Sequence, residues 1–280
     1  MSLFITSLNS GSNGNCYYIG NETEAVLVDV GISCREAEKR MSRIGLHMKN
    51  VRAIFVSHEH TDHISGIAVM AGKYQIPVYI THKTLNNSAL TLENHLVRYL
   101  NGCEPVTIGG LSITAFPKLH DATEPVSFMV SGNDVNVGVF TDIGTPCDQL
   151  IRYFKQCHAA FLEANYDEDL LNNGKYPYFL KSRIRGGKGH LSNKQALSVF
   201  TLHKPSWMSH LLLSHLSKDN NCPDLVHELF SAHAGATKII VASRYEETPL
   251  FAISNIPAIK IKLKPAPSSL RSAQLQFVFN

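Results

Sequence analysis

The hexapeptide His58-Glu59-His60-Thr61-Asp62-His63 constrains this chain more than any other feature, because it sets four side chains able to hold a metal within six residues. It follows directly on VRAIFVS (51–57), an apolar, β-branched run that reads as a buried strand. Alternation along an extended backbone puts His58 and His60 on one side as the chain leaves that strand, and Asp62 and His63 open the next element. Imidazole and carboxylate are the donors that hard and borderline divalent cations take. A surface cluster of histidines is the bland alternative. At this His and Asp content, however, chance produces the pattern in roughly one chain in a thousand.

Four donors do not complete two metal shells, and three further runs repeat the design of an apolar strand ending in a donor. LSITAFPKLH ends in His120, VNVGVFTD in Asp142 and HLLLSH in His215. Singly, a histidine after a strand is more often a hydrogen-bonded structural residue, and an aspartate before Ile-Gly more often forms a turn. If the strand ends share one edge, then His58, His60, Asp62, His63, His120, Asp142 and His215 all meet there. Of the fourteen histidines in 280 residues, His47, His82, His95, His158, His203, His210, His227 and His233 lack this context and read as structural or surface residues.

The remainder describes the scaffold. Apolar residues at 44% and charged residues at 18% belong to a globular chain able to bury a sizeable core. A net charge of +3 does not by itself identify a nucleic-acid binder. The N-terminal residues lack the basic start and apolar run of a signal peptide, and no stretch is apolar enough to span a bilayer, so a cytoplasmic protein without membrane contact is expected. Six scattered cysteines with no CxxC read as reduced thiols. Helices are expected over CREAEKRMSRIG up to Gly45, over Ile64 to Lys73, in DQLIRYFKQC, over 194–203 and in CPDLVHELFSAH, interspersed among many short strands. That mixture predicts an α/β (α+β) class with two mixed sheets and helices packed outside them. Residues 1–256 read as one hydrolase domain, and 257–280 as an edge strand and tail of the same domain.

The order HxHxDH, His120, Asp142, His215 resembles that of the metallo-β-lactamase superfamily, over residues 1 to about 252. The resemblance implies a four-layer αβ/βα sandwich with two divalent ions (zinc, manganese or iron) at one edge. His58, His60 and His120 would hold one ion, Asp62, His63 and His215 the other, and Asp142 would bridge them. Asp29 in AVLVDVG matches the superfamily's early aspartate, which braces the metal loop without being a ligand. Two such ions would acidify a shared water to hydroxide and clamp developing negative charge. Finer motifs, SLNSGSNGNCYYI, VDVGIS, GKYPYFLKSRI, GHLSN (189–193) and SHLSKDNN (214–221), are similar to the bacterial YycJ/WalJ subfamily. That likeness implies single-domain, DNA-directed phosphodiesterases, some of them exonucleases. It makes Asp62 and His190 the catalytic candidates and adds Ser217 and Asn220 as substrate-binding candidates. Asn13 stands where that group more often carries a serine, while the flanking glycines are kept.

Three features of the chain point to a phosphodiester. The run Lys175 to Lys194 carries Lys175, Lys181, Arg183, Arg185, Lys188 and Lys194 without an acidic residue, interleaved with Tyr176, Tyr178 and Phe179 that could stack on bases. Lys181, Arg183 and Arg185 would hold the backbone of a DNA substrate; a solvated basic loop is the alternative. The run leads into His190, which resembles the histidine that related nucleases use beside the scissile phosphate; capping the next helix is the blander alternative. Gly11, Ser12, Gly14 and Asn15 could form a nest of backbone N–H groups for an anion, or an ordinary hairpin turn. Between Asp142 and His215 lie 72 residues, too few for the large inserted domain of the superfamily's RNA-cleaving and end-joining members. A DNA exonuclease is therefore the leading expectation, with a thioesterase or lactonase as the enzymatic rival. A regulatory binding scaffold without catalysis is the third possibility, disfavoured by the complete donor set.

Overall fold

In a computed structural model, which describes residues 2–255, the apolar runs pair into two seven-stranded sheets. The first takes β1 (Leu3–Asn9), β2 (Cys16–Gly20), β3 (Ala25–Val28), β4 (Val51–Phe55), β5 (Val78–Ile80) and β6 (Val97–Tyr99). The second takes β7 (Pro105–Ile108), β8 (Leu111–Pro117), β9 (Val126–Gly132), β10 (Val135–Phe140), β11 (Ala159–Glu163), β12 (His210–Ser214) and β13 (Lys238–Val241). The chain then returns to the first sheet, where β14 (Phe251–Ile253) pairs antiparallel with β1.

Helices cover both outer faces: α1 (Cys34–Arg43), α2 (Thr61–Ile64), α3 (Ile67–Tyr74) and α4 (His82–Asn87) follow strands of the first sheet. The second sheet carries α5 (Asp148–Phe154), α6 (Glu168–Asn173), α7 (Tyr178–Arg185), α8 (Asn193–His203) and α9 (Pro223–Ser231). Three apolar seams hold the four layers. The central one interleaves Ile5, Tyr17 and Phe55 from one sheet with Phe128, Phe161 and Leu212 from the other. Outer seams pack Ala37, Met41 and Met70 under the first sheet's helices, and Leu150, Phe200 and Phe230 under the second's. Strands buried on both faces read as unbroken apolar runs, as in β11, whereas β8 alternates buried and half-buried positions as an antiparallel strand does. The expected class and mixed sheets are present, and so are the expected helices, except that the one expected over Ile64 to Lys73 is divided at Ser65 and Gly66 into α2 and α3. Residues 257–280, expected to form an edge strand and tail, lie outside the described residues.

Strand direction fixes the site. β10, β11, β12 and β13 are mutually parallel, and β8 runs with them because β9 is antiparallel to both β8 and β10. In the first sheet β3 and β4 are parallel. The donors that follow β4, β8, β10 and β12 therefore leave the sheets at shared edges, as the sequence pattern required. All six cysteines are free, and no described helix is long and apolar enough to cross a membrane.

Candidate metal centre

At the strand exits the backbone turns abruptly. Asp29, Asp142 and His215 adopt left-handed conformations, with φ of 59°, 55° and 56°. Non-glycine residues seldom do so, and the turn swings each side chain from the strand axis toward the space between the sheets. The hexapeptide loop reaches the same space from β4, with His60 preceding α2 and His63 within it. Gly31 makes this approach possible: a Cβ there would lie 1.7 Å from the Asp62 carbonyl oxygen.

The donors assemble into two groups. Nδ1 of His60 lies 3.0 Å from Nε2 of His58 and 3.4 Å from Nε2 of His120. Oδ2 of Asp62 lies 3.3 Å from Nε2 of His215 and 3.5 Å from Nε2 of His63. Asp142 stands between them, with Oδ2 3.2 Å from Nε2 of His63 and Oδ1 3.9 Å from Nε2 of His120. Within each of the groups His58/His60/His120 and Asp62/His63/His215 the donor atoms lie within 4.8 Å of one another. All seven expected residues thus come together.

What lies behind the donors orients them. His63 donates Nδ1–H to Asp29 Oδ2 at 2.7 Å, and His58 donates to Ser57 Oγ at 2.8 Å. Ser57 in turn donates both its hydroxyl and its N–H to Asp29. His120 donates to the Gly189 carbonyl at 3.0 Å and His215 to Glu163 Oε1 at 3.1 Å. With Nδ1 occupied, Nε2 of each ring is left to face the centre, the arrangement that raises a ligand's basicity and fixes its tautomer. Asp142 Oδ2 is buried without a well-formed hydrogen bond, its near partner being His63 Nε2 at 3.2 Å, and a carboxylate oxygen so placed among imidazoles suits a cation. The residues fit divalent cation binding.

Burial holds the His58 imidazole well below its ordinary range and His120 down at about 4, Lys118 reinforcing both. Burial would do the same to His63 and His215, but Asp142, Asp62 and their other carboxylate neighbours outweigh it. They lift His63 well above its range and His215 to about 10. Burial alone would raise Asp142 and Asp62; the nearby imidazoles instead hold Asp142 well down and Asp62 at about 2. Without metal, protons on His63 and His215 therefore compensate the carboxylates, and a cation at Asp62/His63/His215 must displace them. Its affinity should climb with pH across the neutral range, because the protons compete with the cation until the pH passes the raised value of His215 near 10. The group His58/His60/His120 holds two imidazoles already neutral at pH 7 and should vary less. Titration calorimetry in two buffers of different ionisation heat should report about two protons released for the first group and fewer for the second. Equal release by both would contradict the assignment.

Other candidates fall in different places. His190 lines the pocket over the centre, a cavity of about 420 Å³ shared with His60, Asp62, Asp142, His215 and Arg183. It is not a helix cap, since Ser192 caps α8 in a capping box with Gln195. Gly189 sits so close to the end of α7 that a Cβ would lie 2.1 Å from the Ile184 carbonyl oxygen. Asn15, expected to bind substrate, points inward: its side-chain amide lies 3.1 Å from His63 Nε2 and 3.3 Å from Asp62 Oδ2. The N–H groups of Gly11, Gly14 and Asn15 are spent on Asn15 Oδ1, the Gly11 carbonyl and the Asp62 carbonyl. The expected nest thus loses three of its donors, and the segment serves as a brace and hairpin turn. Ser12 does line the pocket, accepting from Arg244 at 2.9 Å. Ser217 and Asn220 lie outside it and bond to each other at 3.2 Å.

The basic run is not a loop throughout, since α7 occupies Tyr178–Arg185 with no buried residue. Arg183 lines the pocket, held at 2.5 Å by Asp121. Lys181 is turned to the Asn172 carbonyl and Arg185 to the Lys181 carbonyl. Tyr178 and Phe179 are exposed, whereas the Tyr176 hydroxyl donates to Asp219. Sequence reasoning missed Glu163. Fully buried, it takes His190 Nδ1 at 2.7 Å and His215 Nδ1 on Oε1, and the N–H groups of Ile143 and Leu191 on Oε2. With both oxygens hydrogen-bonded it is a brace for the two histidines. The signal was present, for AAFLE is one more apolar strand ending in a polar donor.

Comparison with known proteins agrees with this geometry. Residues 24–215 match the family model of the beta-lactamase superfamily domain. The chain is 34% identical to exodeoxyribonuclease YycJ of Bacillus anthracis over 228 residues, 80% of this chain and 86% of that protein. It is 31% identical to exodeoxyribonuclease WalJ of Streptococcus pneumoniae (strain D39), across 79% of this chain and 84% of the relative. Among solved structures, the metallo-beta-lactamase fold protein YhfI from Bacillus subtilis superposes with a TM-score of 0.69 at 15% identity, covering 90% of this chain and all of that one. This last likeness concerns the fold.

Proposed function

This chain belongs to the beta-lactamase superfamily, within the group of the YycJ and WalJ exodeoxyribonucleases, and from that premise we propose that it removes nucleotides from DNA ends using two divalent cations, zinc or manganese in preference to iron. It is a metal-dependent hydrolase. The observation that carries the reading is the convergence of six histidines and three carboxylates under a pocket whose mouth is flanked by the Arg183 guanidinium. A second reading, thioester or lactone hydrolysis, leaves that cationic mouth and the neighbouring basic run without a purpose.

The cations, when bound, supply Lewis acidity and lower the pKa of coordinated water. The chain's residues do the rest. Arg183 offers a planar, bidentate donor to a phosphate oxygen, in exchange for the Asp121 carboxylate that holds it otherwise. Asp62 orients the attacking water. Glu163 fixes the His190 ring through Nδ1, leaving Nε2 to pass a proton to the departing oxygen. Asn15 and Asp29 keep Asp62 and His63 from drifting.

The test is incubation of metal-loaded protein with end-labelled linear DNA, closed circular DNA and a thioester. Mononucleotides from the linear substrate alone are expected. Thioester turnover with intact DNA would transfer the activity to the rival reading. If Arg183 meets a phosphate, Arg183→Ala should flatten the slope of log affinity against log salt by about 0.7–0.9. Lys181→Ala, with its ammonium already on Asn172, should change the slope less. A larger change at Lys181 would place the strand on the other face of α7.

A further inference from the structure

Beside the metal pocket lies a second cavity of about 240 Å³, and the two share a wall. His215 lines one and its neighbour Leu216 the other. Arg244 lines the second cavity and donates to Ser12, which lines the first. Ser10, also facing the second cavity, accepts the backbone N–H of His215 at 2.7 Å. None of the residues assigned to metal binding or proton transfer lines this second space.

Its chemistry is divided. Leu216, Pro223, Val241 and Ala242 give it apolar walls; Lys218 and Arg244 are its cations, and no carboxylate lines it. Tyr245, also lining it, is 72% exposed. The volume falls below the roughly 300–1,000 Å³ of pockets that enclose drug-sized ligands, so the space suits one small ligand and not an extended one. Apolar walls with an aromatic ring match a nucleobase, and paired cations match a phosphate.

We propose that this cavity receives the terminal nucleotide of a DNA strand whose neighbouring phosphodiester lies over the metal centre. The inference rests on the exonuclease reading and gives it a structural cause. Pro223 at the start of α9 and Val241 at the end of β13 form the cavity wall, so a single nucleoside fills the space. A strand would enter end first, and its register against the metals would be set by one residue of DNA.

Two variants test this. Ala242→Leu narrows the space with a side chain remote from the reaction, and Lys218→Ala removes an exposed cation without disturbing the core. Three readouts are needed: release of nucleotides from end-labelled DNA, hydrolysis of bis(p-nitrophenyl) phosphate, and binding of dAMP and thymidine by equilibrium dialysis. For Ala242→Leu, DNA degradation and dAMP binding should each fall about tenfold or more, the scale of losing one base's stacking, with bis(p-nitrophenyl) phosphate turnover within about twofold of wild type. For Lys218→Ala, dAMP binding should weaken several-fold while thymidine binding holds. If the wild type degrades DNA and both variants do so equally well, the cavity assignment is wrong while the exonuclease reading stands. Equal loss of DNA and bis(p-nitrophenyl) phosphate turnover in Ala242→Leu, with dAMP binding unchanged in Lys218→Ala, also overturns it, because the wall then only supports His215. If the wild type leaves DNA intact yet binds dAMP in a way both variants weaken, the exonuclease reading fails and the nucleotide site remains.

Discussion

Asp142→Ala should abolish hydrolysis and leave the chain with at least one cation fewer. Asp142 is the carboxylate between the two donor groups, with Oδ2 buried and without a well-formed hydrogen bond. Removing it strips a shared donor and leaves His63 and His215 without their strongest compensating charge. The loss should exceed the about 10–100-fold effect of deleting a residue that only orients a ligand. Asp29→Ala supplies that comparison, since Asp29 touches His63 and Ser57 but not the pocket. Metal content by mass spectrometry of the native protein, alongside nucleotide release, decides the matter. Full activity with two ions retained in Asp142→Ala would remove Asp142 from the centre.

His190→Ala should slow turnover by about 10²–10⁴-fold while metal content stays unchanged, the range expected of a positioned proton-transfer group. Glu163→Gln separates orientation from ligation. It keeps the side-chain volume but loses the carboxylate that receives both His190 and His215. Turnover should therefore fall and metal affinity should also weaken by about 10–100-fold, because His215 is oriented by the same oxygen. The pH profile provides a further readout, since a missing proton-transfer group removes a limb of the kcat profile whereas a merely structural defect lowers the whole curve. If His190→Ala loses an ion, His190 belongs with Asp142, Glu163 and His215 in an alternative donor cluster whose atoms also lie within 4.8 Å of one another.

Much of this was legible in the sequence, for identifiable reasons. Donors at the ends of apolar runs could be located because strand alternation and burial are local signals, and the parallel course of β10 to β12 then brought their ends together. The end of the helix expected up to Gly45 was marked by the glycine itself, which takes φ of 76° just past α1. Asn15 and Glu163 were misread or missed because their partners are distant in sequence: Asn15 contacts His63, and Glu163 contacts His190 and His215. Their residue types say nothing about such contacts. Helix α7 was hidden for the opposite reason. It buries no residue fully, and its basic composition describes an exposed segment equally well as helix or loop.

The left-handed backbone at Asp29, Asp142 and His215 has a practical consequence for identifying the native ion. Each of these residues costs the metal-free fold about 1–2 kcal/mol that glycine would not, and the unfolded chain does not bear that cost. A cation that binds the folded chain alone repays the deficit according to its concentration relative to its Kd. The melting temperature is thus a meter of ion preference that needs no substrate. Scanning zinc, manganese and iron at the free concentrations found in cells should rank them by the temperature at which the chain unfolds. Asp142→Gly gives the calibration: its metal-free form should melt higher than that of Asp142→Ala, with a smaller response to every ion than the parent chain.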